Sequence, residues 1–257
     1  MNYERKGGAT ALELIRSIFT TGSCKNCGGR LDGRAYLCKS CADAAERLSR
    51  EHEARMVALA AEERRALYAG KITMVPRAFR DVRFANLDGR VARREAIDRA
   101  KRAIGSPIVT IQGVAGTGKT SLAAAMFGAC IDGAVAGDAR MAALAESAVW
   151  TNSIAIARAR REHPLGQGEA PLIVECRLAS MLVVDDLGLE SERESEREAI
   201  STLLYERHAD DRATVVTVGF GASDLKQKYG DGIMRRLTQK SYATVIRTDI
   251  NTDKVGA

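Results

Sequence analysis

Long apolar runs are missing from this sequence. Although 46% of its 257 residues are apolar, charged side chains interrupt every hydrophobic stretch short of the roughly 18 to 20 residues that a membrane span needs. No transmembrane helix is expected. The N-terminal MNYERKGGATALELIRSIFTTG also lacks an apolar core followed by a small-residue cleavage site, and the chain reads as cytoplasmic. Aromatic residues are scarce, with one Trp, five Phe and six Tyr, which leaves little material for an extended base-stacking surface. Acidic residues are outnumbered, and the net charge of +6 fits contact with a polyanion without requiring it. Lys71, Arg77, Arg80, Arg83, Arg90, Arg93, Arg94, Lys101 and Arg102 crowd one segment, which serves either a polyanion or a solvated linker and helix face.

The cysteines are few but patterned. Four of six fall in CKNCGGRLDGRAYLCKSC, residues 24 to 41, as two Cys-x2-Cys pairs ten residues apart. A two-residue gap lets one tight turn aim both sulfurs at a point, and Zn²⁺ accepts four thiolates in a tetrahedron. A cytosolic chain would not keep two disulfides here, so Cys24, Cys27, Cys38 and Cys41 are expected to hold a structural zinc with no open position for water. Lys25 and Lys39 would offset part of the thiolate charge, and GGRLDGR supplies turn residues between the pairs. Cys130 and Cys176 sit in apolar contexts and read as core. After Cys41, an Ala-, Glu- and Arg-rich stretch with Leu48, Met56, Leu59 and Leu67 loosely at helical spacing predicts a long exposed helix. Gly70 is expected to end it, Pro76 marks the next boundary, and His52 is read as solvated. The predicted organisation is a zinc-binding module and linker helix over residues 1–75, then a larger domain over 76–257.

The larger domain is expected to carry phosphate chemistry. PIVTIQ, a β-branched run, leads into GVAGTGKT at residues 113 to 120, and helix-like SLAAAMFGAC follows. That strand, glycine-rich turn and helix is the setting of a P-loop. Gly113, Gly116 and Gly118 let the backbone wrap a phosphate, with Val114, Ala115, Thr117 and the first-turn residue Ser121 completing the cradle. Lys119 would reach the β- and γ-phosphates, and Thr120 would ligate Mg²⁺. MLVVDDLG, residues 181 to 188, is an apolar strand running into two acids: Asp185 is placed to hold Mg²⁺ and Asp186 to polarise an attacking water. ATP hydrolysis is the implied reaction. AVWTN (148–152) and TVVTVG (214–219) supply further strands, and SERESEREAISTLLYERHADD between them has Ile200, Leu203 and Leu204 on one stripe. Strand alternating with helix implies an α/β fold with a parallel sheet.

With these motifs and the C-terminal YGDGIMRRLTQKSYATVIRTD in view, residues 80 to 249 resemble the AAA+ ATPases of the DnaC-type helicase loaders and the related IstB transposition helpers. The resemblance implies a P-loop parallel sheet flanked by helices, preceded here by the zinc module. RDVRFANLD, residues 80 to 88, looks like the family segment lying over the adenine, where Phe84 would stack or serve as an ordinary core residue. It also implies that an arginine after the YGD reaches a neighbouring subunit's ATP. Arg236 matches that position best, Arg235 is its rival, and the active form would be a homo-oligomer. Two departures stand out. Gly219 occupies the place of a polar, water-positioning residue, with Thr217 two residues earlier as a substitute, and Arg247 is the remaining candidate for a C-terminal sensor arginine. Slow hydrolysis or a binding switch would follow. Three functions are compatible: a loader placing a hexameric, DnaB-type replicative helicase on single-stranded DNA, a transposition regulator on duplex DNA, and a nucleotide-sensitive scaffold.

Overall fold

Runs of β-branched residues that are apolar on both faces make strands buried on both faces, the pattern of a parallel sheet. In the computed structural model these are β1 (Ile108–Gln112), β2 (Val149–Asn152), β3 (Met181–Leu187), β4 (Ala213–Val218) and β5 (Thr244–Arg247), joined in the order β2-β3-β4-β1-β5 with every pairing parallel. The structure describes residues 23–248 apart from 30, 32–36, 88, 90, 92–93 and 165. The expectations for the N-terminal 22 residues, most of GGRLDGR, Arg90, Arg93 and the tail after Thr248 lie outside the described residues.

Helices cover both sheet faces. In chain order the helices are α1 (Lys39–Ile72), α2 (Arg94–Ala103), α3 (Lys119–Ala136), α4 (Ala139–Ala145), α5 (Ser153–Glu162), α6 (Pro171–Leu178), α7 (Glu194–Ala209) and α8 (Ala222–Thr238), and it is those after α1 that pack around the sheet. Alternate strand residues divide the core. Val109, Ile111, Val183 and Val215 face a cluster with Ile97, Leu122, Met126 and Phe127 of α2 and α3, while Leu182, Val184, Val216 and Val218 face one with Ile156, Ile173, Ile200, Leu203 and Leu225 of α5 to α8. Cys130 and Cys176 are fully buried, one in each cluster. The stripe predicted on α7 packs as expected, with Ile200, Leu203 and Leu204 buried.

Small residues let α3 pack closely. Arg83 reaches over Gly128, where a Cβ would lie 3.0 Å from its Nη1, and donates from Nε to Asp132 at 2.6 Å. Gly137, in the left-handed region at φ 92°, ends the helix with its N–H on the Ala134 carbonyl, as Gly does at a C-cap. Most of the 34-residue α1 is exposed, and Tyr68 is its one buried residue. It runs through Gly70, its predicted end, to Ile72, because the free Gly70 carbonyl is capped by the Thr73 hydroxyl at 2.7 Å. The chain divides between Ala60 and Ala61, inside α1, into two compact units, and Pro76 opens a 3-10 turn at Arg77–Phe79. No helix among the described residues is long and apolar enough to cross a membrane.

Candidate nucleotide site and four-cysteine cluster

The turn from β1 into α3 contains Gly116 (φ 82°) and Gly118 (φ 85°), backbone positions that a side chain would strain. Gly113 is tied to β4 through its N–H on the Val218 carbonyl at 3.2 Å. Val114, Ala115 and Gly116 are exposed at the crest. Thr117 donates to the Val114 carbonyl at 2.8 Å, and its hydroxyl meets that of the buried Thr248 at 2.7 Å, tying the turn to the end of β5. Lys119 is buried and donates from Nζ to the Val114 carbonyl at 3.0 Å. Ser121 is buried in the first turn of α3. The turn thus ends at a helix N-terminus, whose first amides lack intrahelical partners and favour an anion.

The acidic pair lies at the same end of the sheet. Thr120 Oγ1 donates to Asp185 Oδ1 at 3.1 Å, and Thr217 Oγ1 donates to the same oxygen at 2.6 Å. Burial pushes the Asp185 carboxyl above its ordinary pKa; the Thr217 bond opposes that, the Asp186 charge adds to it, and the Thr120 bond opposes it. Asp186 is exposed at φ 53°, in a bulge where the β3–β4 register breaks between Val184 and Leu187. Its N–H donates to Thr217 Oγ1 at 2.8 Å, and its carbonyl accepts from Ser153 Oγ at 2.7 Å. A hydroxyl and a buried carboxylate at hydrogen-bond distance are hard oxygen donors of the kind Mg²⁺ takes.

Sequence reasoning missed the loop that follows. Glu190 is buried; its carboxylate accepts from Tyr229 Oη and from the Gly188 N–H at 3.0 Å, and Lys228 Nζ lies 3.3 Å from it. Lys228 also donates to the carbonyls of Gly188 and Glu190 at 2.6 and 3.0 Å. The only hint in the sequence was an acid three residues past an apolar strand, which reads equally well as a solvated turn.

The remaining candidates are dispersed. Arg236 stacks on Tyr205 of α7, with Cζ 4.4 Å from the ring centroid, and donates to the Gly232 carbonyl at 2.9 Å. Arg235 is exposed and, among the described residues, has no side-chain partner. Phe84 packs at the edge of the first core cluster, with Lys101 Nζ 5.7 Å from its ring. Gly219 and Arg247 line a cavity of about 380 Å³ together with Gly113, Val114 and Phe220. Thr217 points into the acidic pair.

In the N-terminal unit, the Cys24, Cys27, Cys38 and Cys41 sulfurs all lie within 4.8 Å of one another, and the Cys27–Cys38 pair is 3.6 Å apart. A tetrahedron with bonds of roughly 2.3 Å has sulfur–sulfur edges of roughly 3.8 Å, so the four thiols fit a zinc ion. The first pair is shaped by a turn in which Cys24 N–H meets the Gly29 carbonyl at 2.7 Å and Gly28 N–H meets the Cys24 carbonyl at 2.8 Å. The second pair brackets the start of α1, and there the Asn26 bond lowers the Cys41 thiol but the neighbouring Cys27, Cys38 and Cys24 side chains outweigh it and push Cys41 up to about 12. Backbone donors at Cys38, Cys27 and Asn26 bring the Cys24 thiol down to about 6, and the Ser40 hydroxyl lowers that of Cys38.

A five-stranded parallel sheet in this order, a P-loop after β1 and an acidic pair on β3 define the larger unit as an AAA+ P-loop fold. Among solved structures, the chain is similar to DnaI (19% identity over 68% of this chain and 94% of that one, TM-score 0.53). It is also similar to the DnaC helicase loader (15% identity, 68% and 100%, TM-score 0.52). A third match is the replication initiator DnaA bound to AMPPCP and single-stranded DNA (15% identity, 69% and 51%, TM-score 0.52). The chain spans about half the length of such initiators, 51% of that DnaA and 47% of AMPPCP-bound DnaA from Aquifex aeolicus. No protein-family model matches the sequence, and no curated protein does either.

Proposed function

We propose that this protein binds and hydrolyses ATP and uses it to load a hexameric, DnaB-type replicative helicase onto single-stranded DNA. The observation that carries the ATPase reading is the approach of Thr120 to Asp185 beside the P-loop, with Asp186 exposed next to them. Gly113 to Gly118 and Ser121 would cradle the phosphates, and Lys119 would exchange the Val114 carbonyl for phosphate oxygens. Thr120 and Asp185 would hold Mg²⁺, which supplies charge neutralisation at the phosphates when bound. Asp186 would accept a proton from the attacking water. An arginine from a neighbouring subunit would complete the site in a homo-oligomer. Arg235 can take that role without giving up a contact, whereas Arg236 must leave Tyr205. The loader reading is supported by the likeness to DnaC and DnaI and by the four-cysteine cluster, read as a zinc module that grips the helicase.

The test is ATP turnover and partner capture with the full chain. Lys119→Ala is expected to abolish nucleotide binding, and Asp186→Asn to bind normally while turnover falls about 100-fold or more. Unchanged turnover in either variant sinks the ATPase reading. Co-purification of a transposase in place of a helicase would replace the loader by a transposition helper.

A further inference from the structure

We propose that Thr217 is a positioning residue for the acidic pair, one hydroxyl setting both the Asp185 carboxylate and the backbone turn that presents Asp186. The inference rests on the ATPase reading above. It comes from the hydrogen-bond direction, which the chemistry of the partners leaves no freedom to choose. An N–H can only donate, so Thr217 Oγ1 accepts from Asp186 at 2.8 Å. An ionised carboxylate can only accept, so the single hydroxyl proton goes to Asp185 at 2.6 Å, a length expected of O–H···O⁻.

The backbone explains why a hydroxyl is needed there. The pairing of β3 with β4 runs to Val184↔Val216 and resumes at Leu187↔Val218, so β3 carries one extra residue over this interval and the ladder is interrupted. Asp186 is the residue turned into the left-handed region, at φ 53°, which non-glycine residues seldom occupy and which clusters at functional sites. The Thr217 hydroxyl receives the N–H of that turn. Thr217 is itself fully buried on β4, whose six residues are all buried, so water has no access to replace the hydroxyl. Without it, Asp185 keeps the Thr120 bond at 3.1 Å, which draws the carboxylate toward the residue meant to share the cation. The Asp186 turn loses its acceptor at the same time.

The experiment compares Thr217→Val, which keeps the shape and loses the hydroxyl, with Thr217→Ser, which keeps the hydroxyl. On the full chain, Thr217→Val is expected to bind a fluorescent ATP analogue without Mg²⁺ to within about twofold of wild type. Its Mg²⁺ requirement for half-maximal turnover rises, and kcat drops about tenfold or more with KM for ATP little changed. Thr217→Ser is expected to recover kcat to within about threefold of wild type. Thr217→Val with wild-type kcat and Mg²⁺ dependence overturns the inference, as does Thr217→Ser impaired as deeply as Thr217→Val, which would mean that the methyl group acts through packing. If Thr217→Val does not fold, Thr217→Ala carries the same comparison. A wild-type chain that binds no nucleotide overturns the ATPase reading and this inference with it, whereas an active wild type beside an equally active Thr217→Val overturns this inference alone.

Discussion

Arg207 shows what a single side chain does here outside the chemistry. It is fully buried, and its guanidinium is satisfied by neutral oxygens: Thr214 Oγ1 at 3.0 Å, the carbonyls of Cys176, Arg177 and Ala179 at 2.8, 3.1 and 2.8 Å, and that of Ala213 at 2.6 Å. Three of these carbonyls lie at the C-terminal end of α6, where positive charge is favoured. Burial brings its pKa down to about 10, so it stays charged at neutral pH. Arg207→Met is expected to destabilise the fold by about 3 to 5 kcal/mol, since it leaves several buried carbonyls without donors; a urea midpoint that barely moves would refute that. Nothing local in the sequence distinguishes Arg207 from the solvated arginines of the same helix, because its role depends on α6, which the sequence reading did not place. The placement of Lys119 and Thr120 beside Asp185 and Asp186 was legible because each motif is encoded by neighbours in the chain, whereas the contact of Thr217 with both acids needed the register of β3 against β4. Gly219 is a different case. A Cβ there meets nothing within 4 Å and its φ lies outside the left-handed region. Gly219→Asn is therefore expected to leave stability within about 0.5 kcal/mol, and to raise ATP turnover if a polar side chain at that place orients water. Unchanged turnover would show that the missing side chain at Gly219 does not limit hydrolysis.

At the level of elements, the loop after β3 and the first half of α8 form one hydrogen-bonded assembly. Glu190, Tyr229 and Lys228 hold Gly188 and the loop against α8, and immediately beyond them α8 breaks at Gly230, with φ 80° and ψ 171°. The turns carrying Arg235 and Arg236 lie beyond that break, outside the half of α8 that is tied to the loop. Burial pushes the Glu190 carboxyl up, but the Tyr229 hydroxyl, the backbone donors and the Lys228 charge outweigh it, and its pKa ends below the ordinary 4.5. An acid with a depressed native pKa binds fewer protons folded than unfolded near that value. Its stabilisation is present above 4.5 and is lost as pH falls through the native value. Tyr229→Phe is expected to cost about 1.5 to 3 kcal/mol at pH 7, a difference that shrinks as Glu190 protonates in acid. Denaturant titrations at pH 7 and pH 3.5 check this, and a loss independent of pH would mean that the hydroxyl acts elsewhere. The sequence announced the strands buried on both faces, but it hid β5, whose four residues include two only partly buried. It also hid α2, α4 and α6, which are ten residues or fewer and too short for periodicity to register. Asn152 capping α5 and Pro171 opening α6 were the usable signals.

For the molecule as a whole, net charge is a weaker guide than its count suggests. Arg80 donates to the carbonyls of Thr73 and Val75, and Arg83 pairs with Asp132, so part of the basic segment ahead of β1 holds the segment in place and is withdrawn from any polyanion. The division of labour between the units is therefore better tested through the metal. The buried nonpolar clusters on both sheet faces belong to residues beyond Ala61, whereas the described part of the N-terminal unit offers Cys24 and Leu31 as its buried hydrophobics. The described part of that unit holds too few buried apolar residues to fold by burial, and a structural zinc would supply folding energy directly. One zinc per chain is expected by elemental analysis. Cys38→Ser is expected to lose that zinc, since three thiolates with a weak hydroxyl no longer close the tetrahedron. ATP-analogue affinity should stay within about twofold because the P-loop core is built from other residues, while helicase co-purification is lost. Full zinc retention in Cys38→Ser would refute the four-thiolate site. Zinc loss with helicase capture intact would show that the grip lies on the larger unit, and the loader reading would then rest on that surface alone.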